Sequence, residues 1–283
     1  MAPLSDLIMV DGHVHFQRGF EASSFLEWAH TNFRDAARGL TPDASFVGVL
    51  LLTEGQQENG FNRLIAQVER QNGKEEAAKS KWSLQGTREQ VSTCFYSGGF
   101  YTGDHAPIFI VVGRQIPTRE GLEVLAAGTR RHFEAGKPIK MLIREVAKVG
   151  AIPIVPWGAG KWLGKRGRVI DELIRNPRLP PFFLGDSANR PVFWPRPAQF
   201  HRAEEEGIRV LSGSDPLPFS GEERRVGSFG VALNGALDFD EPVSDLKRRL
   251  MGPSSSLRQF GGKERPLRFV RNQLKMQFRK LTR

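Results

Sequence analysis

The stretch "IMVDGHVHF", residues 8–16, decides the fold because it joins a short apolar run to a cluster of polar side chains. The apolar residues predict a buried strand, and alternate side chains of a strand point to the same face. His13 and His15 are therefore expected to face one way, with Asp11 at the same spacing. Two imidazoles side by side are typical of a metal site, although the same letters also form the polar tip of an ordinary strand.

Similar runs recur along the chain, and most of them also end in polar or glycine-bearing residues. The predicted strands cover residues 7–12, 45–52, 107–113, 151–156, 182–186 and 208–215. Helical segments are predicted between several of them, at 24–38, 59–71, 138–149, 167–174 and 197–206. This alternation predicts an α/β fold, namely a distorted TIM-like (β/α)7–8 barrel that is mainly parallel, with its site at the carboxyl ends of the strands. An open doubly wound sheet is the alternative, which the spread of polar tips over most strands disfavours.

The charge divides the chain into two predicted parts, a barrel at 1–246 and a basic tail at 247–283. The tail has twelve Lys and Arg and one acid, Glu264, so its net charge is +11 and the rest of the +10 chain sums to −1. Within the barrel, residues 72–104 are predicted to be a polar insertion ending in a hairpin.

The tail carries an apolar stripe at helical spacing among its basic residues. The stripe consists of Leu267, Val270, Leu274, Phe278 and Leu281. Such a helix can touch a membrane surface or an acidic partner, or it can pack its stripe on the barrel and leave its charges in water. Nucleic-acid binding is not predicted, because no recognition motif accompanies the charge.

The composition bounds the class of protein. The only cysteine, Cys94, excludes an internal disulfide and a cysteine-based zinc cluster. No apolar run is long enough to span a bilayer, and the N-terminus has no basic region of the kind that begins a signal peptide. A cytoplasmic location is therefore expected.

The motif D-x-H-x-H at Asp11, His13 and His15, followed far downstream by "RVLSGSDPLPF", resembles the PHP family of metallohydrolases and, more distantly, the amidohydrolase superfamily. The resemblance extends over residues 7–233. It implies a metal-dependent phosphoesterase in which His13, His15 and Asp215 are metal ligands.

The middle motifs depart from the family pattern. Glu54 and Gly55 replace an Asp-His pair, and Gln115 replaces a bridging glutamate. Pro156 and Trp157 replace a His-Pro pair. Two further histidine positions of the family are occupied by Glu123 and, for the last histidine, by Leu217. The remaining ligands predict a single Zn²⁺, Mn²⁺ or Fe²⁺ in place of the family's trinuclear site.

Further polar groups at the strand ends are candidates for catalysis and substrate binding. Glu54 and Asp186 are the candidate fourth ligand or general base, although Asp186 can equally be a turn or cap residue. A glycine-rich loop, "PWGAGKWLGKRGR" at 156–168, can receive an anion or can simply carry solvated charges. The predicted substrate-binding residues are Arg114, Gln115, Trp157, Lys161 and Arg190.

Two functions follow from these residues, and a weaker third option is a membrane or nucleic-acid accessory protein directed by the tail. The first is a metal-dependent hydrolase acting on an anionic small molecule. The alternative is a barrel that has lost catalysis and binds an anion or a partner, which the missing ligand positions favour.

Overall fold

The computed structural model of the chain describes residues 5–72, 82–87, 89, 92–96, 106–252 and 256–281. Its strands are β1 (Leu7–Val14), β2 (Phe46–Leu52), β3 (Trp82–Gly86), β4 (Ser92–Tyr96), β5 (Ile108–Val111), β6 (Gly113–Pro117), β7 (Glu123–Ala127), β8 (Ile152–Pro156), β9 (Phe183–Ser187), β10 (Val210–Gly213), β11 (Phe229–Asn234) and β12 (Arg258–Gly261). Its helices are α1 (Ala22–Leu40), α2 (Gly60–Asn72), α3 (Ile139–Lys148), α4 (Gly164–Ile174), α5 (Ala198–Glu205), α6 (Pro242–Met251) and α7 (Pro266–Leu281), with a 3-10 helix at Glu222–Arg225.

The predicted strands and helices are confirmed at the level of elements. The six predicted strands correspond to β1, β2, β5, β8, β9 and β10, and the five predicted helices to α1–α5. The sequence did not reveal β6, β7, β11, β12 or α6.

The strands form two mixed sheets, so the predicted TIM-like barrel is wrong. One sheet has seven strands in the order β12-β11-β1-β2-β5-β4-β3, and the other has five in the order β10-β9-β8-β7-β6. The prediction of a mainly parallel sheet is also wrong, because β7 runs antiparallel to both of its neighbours, β6 and β8, and β11 runs antiparallel to β1.

The barrel does not close because both edges of β1 are already used. One edge pairs in parallel with β2, and the other pairs with β11 from Leu7 opposite Asn234 to Val10 opposite Val231. Within the part of the chain that the structure describes, β10 therefore forms no ladder with β1. The backbone N–H of Asp215 still donates to the carbonyl of His13 at 2.8 Å just beyond the two strand ends.

The chain passes from one sheet to the other at Gly113. Strand β5 pairs with β2 in the larger sheet, and β6, which follows after one residue, pairs with β7 in the smaller sheet. A Cβ at Gly113 would lie 2.5 Å from the carbonyl oxygen of Leu52 and 2.8 Å from that of Ala126. Only glycine allows backbone from both sheets to come this close.

The two sheets lie face to face, with helices outside each of them. One apolar cluster lies between the sheets and includes Ile8 and Val49 of the larger sheet and Ile154 of the smaller. A second cluster packs the larger sheet against α1 and α2, and a third packs the smaller sheet against α3, α4 and α5. This layering buries strands on both faces, which accounts for their nearly continuous apolar sequences.

The predicted division of the chain remains a prediction. Strands β3 and β4 pair antiparallel within the segment 72–104, and the rest of that segment between α2 and residue 106 lies largely outside the described residues. Helix α6 runs across residue 246, and β12 adds an edge strand to the larger sheet. Among the residues that the structure describes, no helix combines the length and apolarity needed to cross a bilayer.

Candidate metal centre

The ends of β1 and β10 bring His13, His15 and Asp215 together. The Nε2 atoms of the two histidines are 3.0 Å apart. The Oδ1 atom of Asp215 lies 3.8 Å from Nε2 of His13 and 3.7 Å from Nε2 of His15. These three residues form a possible metal-binding group, and they are the three predicted metal ligands.

The spacing of the donor atoms fits a shared ion. Ligands at about 2.1 Å from a tetrahedral Zn²⁺ are about 3.4 Å from one another, because the edge of a tetrahedron is about 1.6 times its centre-to-corner distance. The observed separations of 3.0, 3.7 and 3.8 Å bracket that value. One ion can therefore contact all three donors after shifts of a few tenths of an ångström.

The protonation states of two of these groups also suit a cation. Burial lowers the pKa of His13 to about 4, opposed by the charge of Asp215, so its imidazole is neutral near pH 7. Burial raises the pKa of Asp215, but the adjacent His13 and His15 and hydrogen bonds from Asn189 and Ser187 outweigh this effect and lower that pKa to about 2. A neutral imidazole and an ionised carboxylate are the forms that bind metals.

An irregularity in β1 determines which way its polar side chains face. The pairing of β1 with β2 shifts register between Asp11 and Val14. As a result Val14 packs in the same apolar cluster as Leu7 and Met9, on the α1 side of the sheet. An uninterrupted strand would place residue 14 on the opposite face from residues 7 and 9, so the shift separates Asp11 from the histidines that share its spacing.

Asp11 joins the two strand ends from behind the site. Its buried carboxylate accepts hydrogen bonds from the backbone N–H and the hydroxyl of Ser214, and from the backbone N–H groups of Gly227 at 2.9 Å and His13 at 3.3 Å. Burial raises the pKa of Asp11 to about 7, although these hydrogen bonds act in the opposite direction. Asp11 therefore orients the ligand-bearing loops and contributes no donor to the triad.

Two glycines allow β1 and β10 to approach closely. A Cβ on Gly213 would lie 2.4 Å from the backbone nitrogen of His13, and a Cβ on Gly12 would lie 2.9 Å from the carbonyl oxygen of Ser212. After this contact the chain turns sharply, with Asp215 in the left-handed region at φ 47°. Backbone strain of this kind is concentrated at functional sites in proteins.

The end of β9 and the loop after it hold Asp215 in place. The Ser187 hydroxyl donates to Oδ2 of Asp215 at 3.1 Å, and the side-chain amide of Asn189 donates to its carbonyl oxygen at 2.7 Å. The Asn189 oxygen in turn accepts from Arg225 at 2.7 Å. Oδ1 of Asp215, the atom nearest the histidines, is therefore left to face them.

Glu54, Arg114 and Gln115 lie together where β2 meets β6. Oε2 of Glu54 forms an ion pair with Arg114 at 2.8 Å, and Oε1 accepts from the backbone N–H of Phe61 in the first turn of α2. The backbone N–H of Gln115 donates to the carbonyl of Glu54 at 2.7 Å. Both oxygens of Glu54 are therefore occupied by groups other than the triad.

Asp186 and Arg190 form a buried ion pair beneath the loop after β9. Two nitrogens of Arg190 contact the two carboxylate oxygens of Asp186, at 2.9 and 2.6 Å. Their side chains are 2% and 1% exposed. The fork-to-fork geometry occupies the guanidinium and the carboxylate with each other.

Lys161 and Trp157 lie near the end of β8. The Lys161 ammonium pairs with Glu123 at 2.6 Å, and both groups are close enough to influence the pKa of His13. Trp157 packs edge-to-face on Trp194 with ring centroids 5.8 Å apart. Both rings line a cleft of about 310 Å³ together with the glycines of the loop 158–160.

Sequence reasoning missed the residues that support the ligands. These residues lie in two short segments, "GDSAN" with Ser187 and Asn189 and "GSD" with Gly213 and Ser214. Their polar residues and glycines predicted the ends of strands but not the hydrogen-bond partners of each side chain. The hydrogen bonds of Asp11 with Ser214 and Gly227 span more than 200 residues of sequence, and no local spacing encodes such contacts.

A comparison with solved structures supports the fold. No protein-family model and no curated protein matches the sequence, so the resemblance to the PHP family stays a prediction. Among solved structures, the chain is similar to PsfC from Pseudomonas syringae PB-5123, with a TM-score of 0.52 and 16% identity over 96% of this chain and 98% of PsfC. The lesion-specific endonuclease PfuEndoQ from Pyrococcus furiosus aligns with a TM-score of 0.49 and 10% identity over 90% of this chain and 58% of the endonuclease.

Proposed function

We propose that the chain binds one divalent transition metal through His13, His15 and Asp215 and acts as a metal-dependent hydrolase on an anionic ester, most naturally a phosphoester. The observation that carries the proposal is the convergence of three donor atoms at ligand spacing on two strand ends that are distant in sequence. The side chains of His15 and Asp215 are 13% and 22% exposed, so solvent reaches the site.

The three residues leave room for further ligands, since catalytic metal sites typically combine three protein ligands with an open position. When bound, the metal would supply Lewis-acid polarisation of a substrate oxygen and acidify a coordinated water. The chain itself would orient Asp215 through Ser187 and Asn189 and hold the two loops together through Asp11.

Among the predicted catalytic and binding residues, we assign Glu54 and Asp186 to positioning. Glu54 is occupied by Arg114 and the first turn of α2, and Asp186 by Arg190, so neither carboxylate has an oxygen available as a base. Lys161 and Glu123 are better placed, because their ion pair at 2.6 Å is open to solvent, with side chains 36% and 21% exposed. An anionic substrate would compete with Glu123 for Lys161, which releases the Glu123 carboxylate to accept a proton.

The test is hydrolysis of a panel of phosphomonoesters, phosphodiesters and carboxylic esters by protein loaded with Zn²⁺ or Mn²⁺. We expect metal-dependent turnover of a phosphoester that falls by about a hundredfold or more in His13→Ala and Asp215→Ala. His201→Ala is the matched control, because His201 is a histidine on α5 whose side chain is 76% exposed, and it should retain full activity. Turnover that is unchanged in the ligand variants would contradict the proposal.

A second function is favoured by the ion pairs. Arg114, Lys161 and Arg190 each have a carboxylate partner, namely Glu54, Glu123 and Asp186 respectively, which is the pattern of a site without a dedicated base. This second candidate is a metal-loaded protein that binds an anion without turnover. Tight phosphate binding to the metal-loaded protein, with no hydrolysis across the panel, is the result that selects it.

A further inference from the structure

Helix α7 is attached to the rest of the protein by its polar side. Arg268 donates to Glu222 at 2.8 Å, and Asn272 is 3% exposed. Just before the helix, Glu264 pairs with Arg225 at 2.9 Å, and at its start Phe269 packs edge-to-face on Phe193. These contacts fix which face of the helix points away from the body.

The outward face is the apolar stripe. Leu267, Val270 and Leu274 recur at intervals of three and four, which places them on one side of a helix, and they are 88%, 52% and 56% exposed. Phe278 is exposed as well, while the side chain of Leu281 lies outside the described residues. For these exposed members of the stripe, the alternative prediction of packing on the body is therefore wrong. A surface helix of a soluble domain usually has the opposite orientation, with its apolar side inward.

Basic residues flank the outward stripe. Arg271 lies four residues after Leu267, and Lys275 lies four residues after Arg271, so both exposed side chains lie along one side of the stripe. Lys275 is on the side nearer the body, with its ammonium 5.3 Å from the centre of the Phe219 ring. No Asp or Glu occurs after Glu264. The 16-residue helix thus presents exposed apolar side chains from Leu267 to Phe278, with the basic Arg271 and Lys275 beside them.

The charge selects the occupant of this face. A second copy of the chain would bring two basic helices together, and their like charges would repel. A surface that is anionic at its headgroups and apolar beneath them matches both the charge and the stripe of α7. We propose that α7 is an interfacial helix that lies in the plane of an anionic lipid surface, with Leu267, Val270 and Leu274 in the apolar boundary and Arg271 and Lys275 at the headgroups. This proposal does not depend on the metal.

The test is co-sedimentation of the full-length protein with phosphatidylcholine vesicles, with and without phosphatidylserine. We expect binding to the phosphatidylserine vesicles and a loss of about tenfold or more in Leu267→Glu combined with Leu274→Glu. Met141→Glu is the matched control, because Met141 is an exposed apolar residue on α3, and it should bind like the unaltered protein. Both altered leucines are exposed, so the thermal midpoint should not change.

A second variant tests the charge. Arg271→Glu combined with Lys275→Glu should also weaken binding to phosphatidylserine vesicles by about tenfold or more, and binding of the unaltered protein should fall as salt is raised. Three results would overturn the proposal: no binding of the unaltered protein to phosphatidylserine vesicles, equal binding to vesicles without phosphatidylserine, or a dimer in lipid-free solution that dissociates in the double-leucine variant. An acidic protein that binds α7 while the vesicles do not would overturn it as well.

Discussion

Asp11 shows how a single buried side chain can organise a site without belonging to the ligand set. Its carboxylate accepts from the loop after β10 through Ser214, from the loop after the 3-10 helix through Gly227, and from β1 through His13. The register shift after Asp11 then turns the two histidines toward the opposite face. Asp11 therefore holds the loops together, while the register shift beside it sets the direction of the imidazoles.

Replacing Asp11 with alanine should lower the free energy of unfolding by about 3 kcal/mol, because several buried donors lose their acceptor. Denaturant unfolding followed by circular dichroism measures the change. Asp240→Ala, at an exposed loop position, is the control and should lie within about 0.5 kcal/mol of the unaltered protein. A loss in Asp11→Ala no larger than the control's would show that the network does not hold the two strand ends together.

At Gly213 the site depends on the absence of a Cβ atom. Gly213→Ala places a Cβ 2.4 Å from the backbone nitrogen of His13, which forces β1 and β10 apart. We expect a loss of about 1–3 kcal/mol in stability and weaker metal binding by calorimetry. Gly39→Ala in α1 is the control, because a Cβ there meets nothing within 4 Å, and it should be neutral or slightly stabilising. Unaltered metal affinity in Gly213→Ala would contradict the close approach.

At the scale of elements, ion pairs fix the loops that follow the strands. The pair of Asp186 and Arg190 lies under the loop that positions Asn189, and the pair of Glu54 and Arg114 joins β2 to β6. A fully buried pair is more costly to break on one side than to replace as a whole, because the remaining charge stays in an apolar environment.

Asp186→Leu and Arg190→Met should each lower stability by about 3–5 kcal/mol, and the double variant should lose clearly less than the sum of the two. A double-mutant cycle in denaturant unfolding measures this coupling. Additive losses would indicate that the two side chains do not depend on each other. Metal affinity in the double variant distinguishes two roles of Asp186. If Asp186 only positions the loop, the double variant should retain metal binding, whereas a direct role as a ligand predicts its loss.

The elements themselves were predictable, because buried strands and amphipathic helices repeat their patterns locally. The α1 helix and the strand β2, for example, follow from an apolar stripe and from an unbroken apolar run. The hairpin of β6 and β7 was not predicted, because the chain passes from one sheet to the other at Gly113 within a single apolar segment that looks like one strand. Strand β11 was missed as well, because its partner β1 is distant in sequence and no local pattern reveals such a pairing.

At the scale of the whole molecule, the predicted cluster of His13, His15 and Asp215 is present although the predicted barrel is wrong. In both arrangements the ends of β1 and β10 must meet, and here they meet across two facing sheets through Gly12 and Gly213. The triad of His13, His15 and Asp215 was therefore predictable from strand-end motifs, while the topology was not, because it depends on which strand occupies the free edge of β1.

The central claim is that these three residues hold one metal ion. Elemental analysis of protein purified without chelator, followed by calorimetric titration of Zn²⁺ and Mn²⁺ into chelator-treated protein, tests it most directly. We predict about one ion per chain in the unaltered protein and in His201→Ala, and a loss of affinity of about a hundredfold or more in His13→Ala, His15→Ala and Asp215→Ala. The claim is contradicted if the unaltered protein binds no transition metal, or if the three ligand variants bind it as tightly as the control.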